Sequence, residues 1–182
     1  SAGAGSAAGA ARARLPASTI AWGVALGGAV GIAATLAAFA YFVRGTAEVL
    51  TLEALREAQA KWEEAGPASY NQELELVGSQ AGTIQVEVRR GEVTRMVRNG
   101  YQPSQQRTWW YWSVPGQFET IDVDWEAAQD PPRGFGVAPG TRAILRAEFD
   151  PQYGYPRFYQ RVLLGTGIHV EWRVTRFEAV AD

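Results

Sequence analysis

The sequence predicts an α+β fold: one amphipathic helix covers a mostly antiparallel sheet of five or six strands, and a single N-terminal transmembrane helix precedes them. Three observations predict this fold: an uncharged apolar run near the N-terminus, one segment with helical periodicity, and later segments in which apolar and polar residues alternate. No βαβ repeat or Gly-rich phosphate loop interrupts that series. We therefore divide the 182 residues into a Gly/Ala-rich tail (1–17), a membrane span (18–43) and a C-terminal domain (44–182).

The membrane span is predicted from its length and lack of charge. Residues 18–43 contain no Asp, Glu, Lys or Arg, and a helix needs about 20 apolar residues to cross a bilayer. Trp22 and Tyr41 lie near its two ends, where aromatic rings favour the membrane interfaces. Ala-Phe-Ala at 38–40 resembles a signal-peptide cleavage site, but the apolar run is about twice as long as a signal peptide has. We expect a retained transmembrane helix in contact with the lipid bilayer.

The arginines predict the orientation of this helix. Arg12 and Arg14 precede the span and Arg44 follows it. Because Lys and Arg accumulate on the cytoplasmic side, we expect a cytoplasmic N-terminus in a bacterial cytoplasmic (inner) membrane. The domain would then be periplasmic or extracellular.

One face of the span carries a stripe of small residues. Gly23, Gly27 and Gly31 recur every four residues and therefore share a helix face. Such a stripe lets another transmembrane helix pack closely, although an Ala-rich span produces such stripes easily. We interpret it as a helix-packing site for integral-membrane protein subunits.

The composition excludes several functions. The chain has no cysteine and one histidine, so it has no disulfide, no thiolate nucleophile and no cysteine-ligated metal centre. From residue 46 onward the net charge is −5, which gives no general attraction for nucleic acid or anionic lipid. We expect no catalytic residue, no cofactor and no metal site.

The domain begins with the predicted helix and continues with the alternating segments. Residues 47–65 have helical periodicity, in which Leu52, Leu55, Gln59 and Trp62 share a face, and Gly66-Pro67 ends that helix. Strands follow, and Arg90-Gly91 supplies a tight hairpin turn. The predicted strand regions are a run from Tyr70 through Leu74 and Leu76, the hairpin at 83–98, and the segments 143–149, 157–163 and 168–172 with the residues after it.

A long loop at about 99–140 interrupts the strand pattern, and loops of that length are usually functional or insertions. It contains four successive aromatic residues, which on a strand would point two to each side: Trp109, Trp110, Tyr111 and Trp112. The outward pair could enter the lipid headgroups or anchor a protein interface, or the strand could be buried on both faces. The acidic run that follows disfavours anionic lipid, so we assign these residues to partner binding.

A second motif predicts a turn between two strands. Asp150 can accept hydrogen bonds from the following backbone amides while Pro151 fixes φ, and Gly154 can adopt positive φ. Tyr153 and Tyr155, which precede Pro156, can pack on either side of the turn. We interpret the segment as structural rather than ligand-binding.

Three segments together resemble a bacterial family of unknown function that has small extracytoplasmic α+β domains. They read KWEEAGPASY, VEVRRGEVTRM and FDPQYGYPRFYQ and lie within residues 52–165. The long middle loop departs from the family pattern, and Phe149 replaces a frequent Tyr. The resemblance implies an extracytoplasmic α+β domain and no known activity. The matching positions are Trp62, Tyr70, Gly91, Asp150, Pro151, Tyr153, Gly154, Tyr155 and Pro156.

Catalysis has one candidate pair. His169 and Glu171 lie two residues apart, on one face of a predicted strand, and Asp150 could join them only if the fold brought it near. Without a nucleophile motif or a second histidine, we expect a protein that is not an enzyme.

Two functional hypotheses remain. The first is a non-enzymatic single-pass accessory subunit that braces its neighbours in a larger membrane complex, for example a photosynthetic or respiratory one. The second is a free-standing membrane-anchored binding protein for a small apolar ligand or envelope component. The second hypothesis predicts a concave apolar pocket near residues 109–112.

Overall fold

A computed structural model describes residues 47–78 and 81–181. The predicted tail, membrane span and glycine stripe lie outside the described residues. Within these residues, no helix is both long enough and apolar enough to cross a membrane.

The described chain forms three α-helices and six strands. The helices are α1 (Leu52–Ala65), α2 (Val114–Gln129) and the short α3 (Pro131–Phe135). Two 3-10 turns precede α2, at Gln106–Thr108 and Trp110–Trp112. The strands are β1 (Tyr70–Gly78), β2 (Gly82–Arg89), β3 (Glu92–Arg98), β4 (Ala143–Phe149), β5 (Pro156–Leu163) and β6 (His169–Ala179).

The six strands form one antiparallel sheet in the order β3-β2-β1-β6-β5-β4. Two three-stranded meanders are therefore joined where β1 pairs with β6, from Tyr70 opposite Ala179 to Gly78 opposite Val170. Arg90 and Gly91 both have positive φ in the β2–β3 turn, as the predicted hairpin requires. The α+β class and the antiparallel sheet are confirmed.

The helices cover one face of the sheet, and the core lies between the helices and that face. Side chains along β1 alternate between buried and more exposed positions: Leu74 and Leu76 are buried, and Glu75 is exposed. From α1, Leu55 and Ala58 enter the core, whereas Leu52 is exposed. The remaining large core side chains come mainly from β2, β5, β6 and α2, and they include Ile84, Val86, Val88, Phe118, Ile121, Tyr159 and Trp172.

The helix predicted over residues 47–65 begins later than predicted, at Leu52. Thr51 is the N-cap of α1, and its side chain accepts a hydrogen bond from the Ala54 backbone N–H. Residues 47–50 instead run along the free edge of β4: Leu50 N–H donates to Leu145 O, and Ala147 N–H donates to Glu48 O. Gly66 ends α1 at the predicted position, and its N–H donates to Trp62 O.

The predicted loop at 99–140 is largely helical. Ser113 caps α2 by accepting from Gly116 N–H, and Pro115 occupies the first turn, where its missing N–H costs no hydrogen bond. Phe118, Ile121 and Trp125 then follow at helical spacing and pack on the sheet. The aromatic residues were also predicted to form a strand, and they form a 3-10 turn that leads into this cap.

Candidate functional site

The aromatic turn (residues 109–112) is a 3-10 turn and not a strand, and its four rings divide between the core and the surface. Trp109 is buried, and its indole N–H donates to Pro103 O at 3.2 Å. Trp112 is half-buried and packs against the core, whereas Trp110 and Tyr111 are 41% and 51% exposed. Two rings therefore pack on the core side, and two rings remain available at the surface.

The backbone of this turn is fixed from two sides. The Trp112 carbonyl accepts hydrogen bonds from the side-chain amides of Gln72 on β1 and Gln117 on α2. Both glutamines are almost completely buried. The exposed rings therefore project from a rigid support, which reduces the entropy that a bound partner would have to remove.

An interhelical groove of about 710 Å³ lies between α1 and α2, above β1 and β2. Tyr70 and Val88 form its floor, and Trp62 and Phe118 contribute aromatic walls. At one point Asp122 bridges the two helices, because it accepts from Gln59 Nε2 at 2.7 Å and pairs with Arg56 at 3.1 Å. The acidic residues that line the groove are Glu63, Glu119, Asp122 and Glu126.

One of the exposed aromatic residues, Trp110, adjoins this groove. Trp110 Nε1 donates to the carboxylate of Glu119 at 3.1 Å, and Glu119 lines the groove. The exposed indole is therefore held beside an acidic, aromatic-lined depression. Such a surface suits a partner that carries basic and apolar side chains.

A separate cavity of about 230 Å³ lies at the other side of the aromatic turn. Tyr111 and Trp112 border it, together with the ends of β1 and β6 and the first turns of α2. The remaining lining residues are Leu76, Val77, Gln117, Thr120, His169, Val170, Glu171 and Trp172.

Two buried phenols fasten α2 to the sheet. The Tyr70 hydroxyl accepts from Val114 N–H at 2.8 Å, and the Tyr159 hydroxyl donates to Asp124 at 2.7 Å. Burial raises the pKa of both phenols far above the usual value, and the Asp124 carboxylate raises the pKa of Tyr159 further. Arg161 also pairs with Asp124, so the Asp124 carboxylate belongs to a structural ion pair.

The structure brings His169 and Glu171 together but leaves Asp150 far from them. His169 Nε2 lies 3.7 Å from Glu171 Oε2, and Glu171 also accepts from Gln160 Nε2 at 2.8 Å. Asp150 adjoins the start of β5, whereas His169 pairs with Val162 near the end of that strand. At about 3.3 Å per residue, roughly 20 Å separates them. Among the described residues, no group of three or more side chains could hold a metal ion.

The segment from Asp150 to Pro156 joins β4 to β5. Asp150 Oδ1 accepts from the backbone N–H groups of Gln152 at 3.0 Å and Tyr153 at 2.8 Å, and Gly154 has a φ of +81°. The same segment carries Tyr153 and Tyr155. Both contact Phe177: Tyr155 stacks on it with ring centroids 4.2 Å apart, and Tyr153 lies 6.0 Å away.

Sequence reasoning did not identify the groove, and it predicted a concave pocket near residues 109–112 only under the binding-protein hypothesis. Trp62 and Tyr70, which line the groove, were assigned to a helix face and a strand, and α2, which contributes to both sites, was assigned to a loop. The spacing of Phe118, Ile121 and Trp125 is the one signal that could have revealed this helix.

Comparison of the chain with protein families, with curated proteins and with solved structures yields no match.

Proposed function

We propose that this chain is a non-enzymatic, single-pass accessory subunit of a larger integral-membrane assembly. In this proposal, residues 18–43 cross the membrane and the α+β domain holds a neighbouring subunit on its extracytoplasmic side. The observation that carries the proposal is the interhelical groove, with the exposed Trp110 held at its border by Glu119.

The charge of the groove indicates the kind of partner. Four carboxylates and one arginine, Arg56, line the groove, and Arg56 is already paired with Asp122. A basic, partly apolar segment of a neighbouring membrane protein complements this surface. Trp110 and Tyr111 are residue types that supply much of the binding energy in interfaces, because they bury large areas with few rotatable bonds.

Asp150 cannot assist the pair of His169 and Glu171 in acid–base chemistry, because such a mechanism needs its groups within hydrogen-bonding reach of one substrate. Roughly 20 Å along β5 separates Asp150 from His169.

Purification of the tagged full-length chain in mild detergent, followed by mass spectrometry, tests the proposal. We expect a stoichiometric set of integral-membrane proteins. The double variant Trp110→Ala/Tyr111→Ala and the charge reversal Glu119→Arg/Glu126→Arg should each reduce their recovery at least fivefold, because each removes about 1 kcal/mol or more of binding free energy.

Tyr101→Ala is the matched control. Tyr101 is 81% exposed but lines neither the groove nor the cavity, so its loss should leave recovery unchanged. Replacing Gly27 and Gly31 by Leu tests helix packing separately. Recovery that persists in both groove variants would contradict the proposed interface.

The second candidate function is a free-standing, membrane-anchored binding protein. The cavity beside Tyr111 and Trp112 favours it, because this hypothesis requires a concave pocket at that place. A lone monomer or homodimer, recovered in several detergents, would support this candidate over the accessory subunit.

A further inference from the structure

We propose that the interhelical groove binds an amphipathic α-helix of the neighbouring subunit, and that this helix presents basic side chains at helical spacing on the face that enters the groove. The inference rests on the proposed function, and it specifies the secondary structure and the charge pattern of the partner.

The edges of the sheet disfavour a partner that binds as an added strand. Residues 47–50 already run along the edge of β4. On β3, a bulge leaves Thr94 without a partner on β2, and the backbone N–H and C=O of Arg98 are paired with Tyr101 at 2.7 and 2.9 Å. Strand addition needs a regular row of unpaired backbone groups, and these features interrupt that row.

The walls of the groove disfavour an extended partner for a related reason. Backbone groups within α1 and α2 are bonded inside their own helices, and the ionised carboxylates that line the groove can accept hydrogen bonds but cannot donate them. The carbonyl groups of an extended chain would therefore lose water without replacement. A helix satisfies its own backbone and offers only side chains to the groove.

The length of the groove matches about three helical turns. Its lining on α2 extends from Pro115 to Glu126, and its lining on α1 extends from Arg56 to the C-cap Gly66. At about 1.5 Å per residue, each wall is roughly 15 Å long. A partner helix of about three turns can therefore contact both walls.

The carboxylates of α2 define the charge pattern of the partner. Glu119, Asp122 and Glu126 recur at i, i+3 and i+7, so they share the face of α2 that lines the groove. Val123 lies among them, also lines the groove and is 59% exposed. A helix that lies along this face matches it with Lys or Arg at similar intervals and an apolar side chain among them.

Two carboxylates are free to receive the charge of the partner. Glu63 on α1 and Glu126 on α2 line opposite walls, and both are exposed. Neither forms an ion pair with another described residue. A basic side chain can therefore pair with either one without displacing an internal contact.

Binding of a labelled model peptide to the full-length protein in a nonionic detergent, followed by fluorescence anisotropy, tests this inference. The ordered peptide is about 15 residues long, with Arg at i, i+4 and i+7, Leu at i+3, and Ala or Gln elsewhere. We expect it to bind saturably. A peptide with the same residues but Arg at i, i+2 and i+5, and a peptide with a central proline, should each bind at least about tenfold more weakly, because the first loses the basic face and the second loses the helix.

Two double variants provide a matched pair. Glu63→Arg/Glu126→Arg reverses one carboxylate on each wall and should weaken binding of the ordered peptide at least about tenfold. Glu57→Arg/Glu64→Arg makes the same change in net charge on α1 but outside the groove, and it should leave the affinity within about twofold. If circular dichroism shows that the first double variant does not fold, Val123→Arg replaces it with the same expected loss, because it places a cation at an exposed position of the groove.

Equal affinity for the three peptides would overturn the inference, because the groove would then not distinguish a basic helix. Equal weakening by the two double variants would also overturn it, since attraction by net charge alone would explain the binding. Binding that neither double variant weakens would mean uptake by detergent only, and it would overturn the inference as well.

The accessory-subunit proposal is judged separately, by the recovery of membrane partners. Partners that are lost in the groove variants, together with an ordered peptide that does not bind, would overturn the helical partner and support the accessory subunit. Tight, groove-dependent binding of the ordered peptide without any membrane partner would support the helix-binding groove and contradict the accessory subunit.

Discussion

Gly154 shows how closely one residue can join two elements. It has a φ of +81° in the β4–β5 turn, and a Cβ at this position would overlap the Ala58 carbonyl of α1. The hydrogen of glycine therefore lets the turn and the helix touch. Gly91 has the same φ of +81° in the β2–β3 turn, but a Cβ there would meet nothing within 4 Å.

We expect Gly154→Ala to lower the free energy of unfolding by about 2–4 kcal/mol. A left-handed alanine costs about 1–2 kcal/mol, and the clash with Ala58 adds to it. Gly91→Ala, the matched control, should lose about 1–2 kcal/mol, because it has the same backbone strain without the clash. Denaturant unfolding followed by tryptophan fluorescence measures both, and equal losses would show that the contact with α1 is unimportant.

Residue-level prediction from the sequence succeeds where the interaction is local. The hydrogen bonds of Asp150 involve the next three residues, and the motif itself implies them. Gln117 and Trp172 are 55 positions apart in the sequence, and only the completed sheet and helix bring both to one cavity. No local sequence pattern predicts that Gln117 and Trp172 lie close together.

At the scale of elements, α2 depends on two phenols for its position. Tyr70 holds its first residue and Tyr159 holds its third turn. Both phenols have strongly raised pKa values in the folded protein, because the buried phenolate would lose its hydration. Unfolding returns both to an ordinary pKa of about 10.

Stability should therefore fall steeply above about pH 10. Below that pH both phenols are protonated in the folded and unfolded states, so they add no pH dependence. Above it the unfolded chain releases the protons of Tyr70 and Tyr159, which the folded chain retains, and these two groups remove about 2.7 kcal/mol per pH unit. Burial also raises the pKa of Tyr155, which adds to the slope. Tyr159→Phe should reduce the slope by about 1.4 kcal/mol per pH unit.

Unfolding by urea between about pH 9 and 11.5 measures this slope. Tyr101→Phe, which removes the hydroxyl of a largely exposed tyrosine, serves as the control. A slope that is the same in Tyr159→Phe and the unaltered chain would mean that Tyr159 does not hold its proton in the folded protein.

The six strands could be predicted because each has one buried face, and the alternation along the chain is therefore regular. Helix α2 could not be predicted in the same way. Its buried face includes Gln117 and Asp124, which interrupt the apolar period, and Gly116 and Pro115 at its start are typical of a loop. The partners of Asp124 come from β5, which is distant in sequence, whereas Gln117 donates to the Trp112 carbonyl, five residues before it.

At the scale of the whole molecule, the pairing of β1 with β6 makes one sheet out of two meanders. Each meander could be predicted from neighbouring segments, but nothing in either one specifies that these two strands meet. Tyr70 of β1 stacks on Phe177 of β6 with ring centroids 5.2 Å apart, so the core also crosses this junction.

The domain should consequently unfold in one cooperative transition. Ile84→Ala in β2 and Leu145→Ala in β4 remove buried side chains from opposite meanders, and each should cost about 2–5 kcal/mol. Because the sheet is continuous, both substitutions should lower the midpoint of the same unfolding transition, whether unfolding is followed by far-UV or near-UV circular dichroism. Separate transitions for the two meanders would contradict this expectation.

The strand-like pairing of residues 47–50 with β4 has a mechanical consequence. Leu50 N–H donates to Leu145 O, Ala147 N–H donates to Glu48 O, and Arg146 donates to Ala47 O at 2.8 Å. A tension that arrives through Thr46 and acts along this segment would load all three hydrogen bonds together, in shear, instead of opening them one after another. Tension in that direction should therefore detach this segment from the edge of the sheet only when the three hydrogen bonds break together.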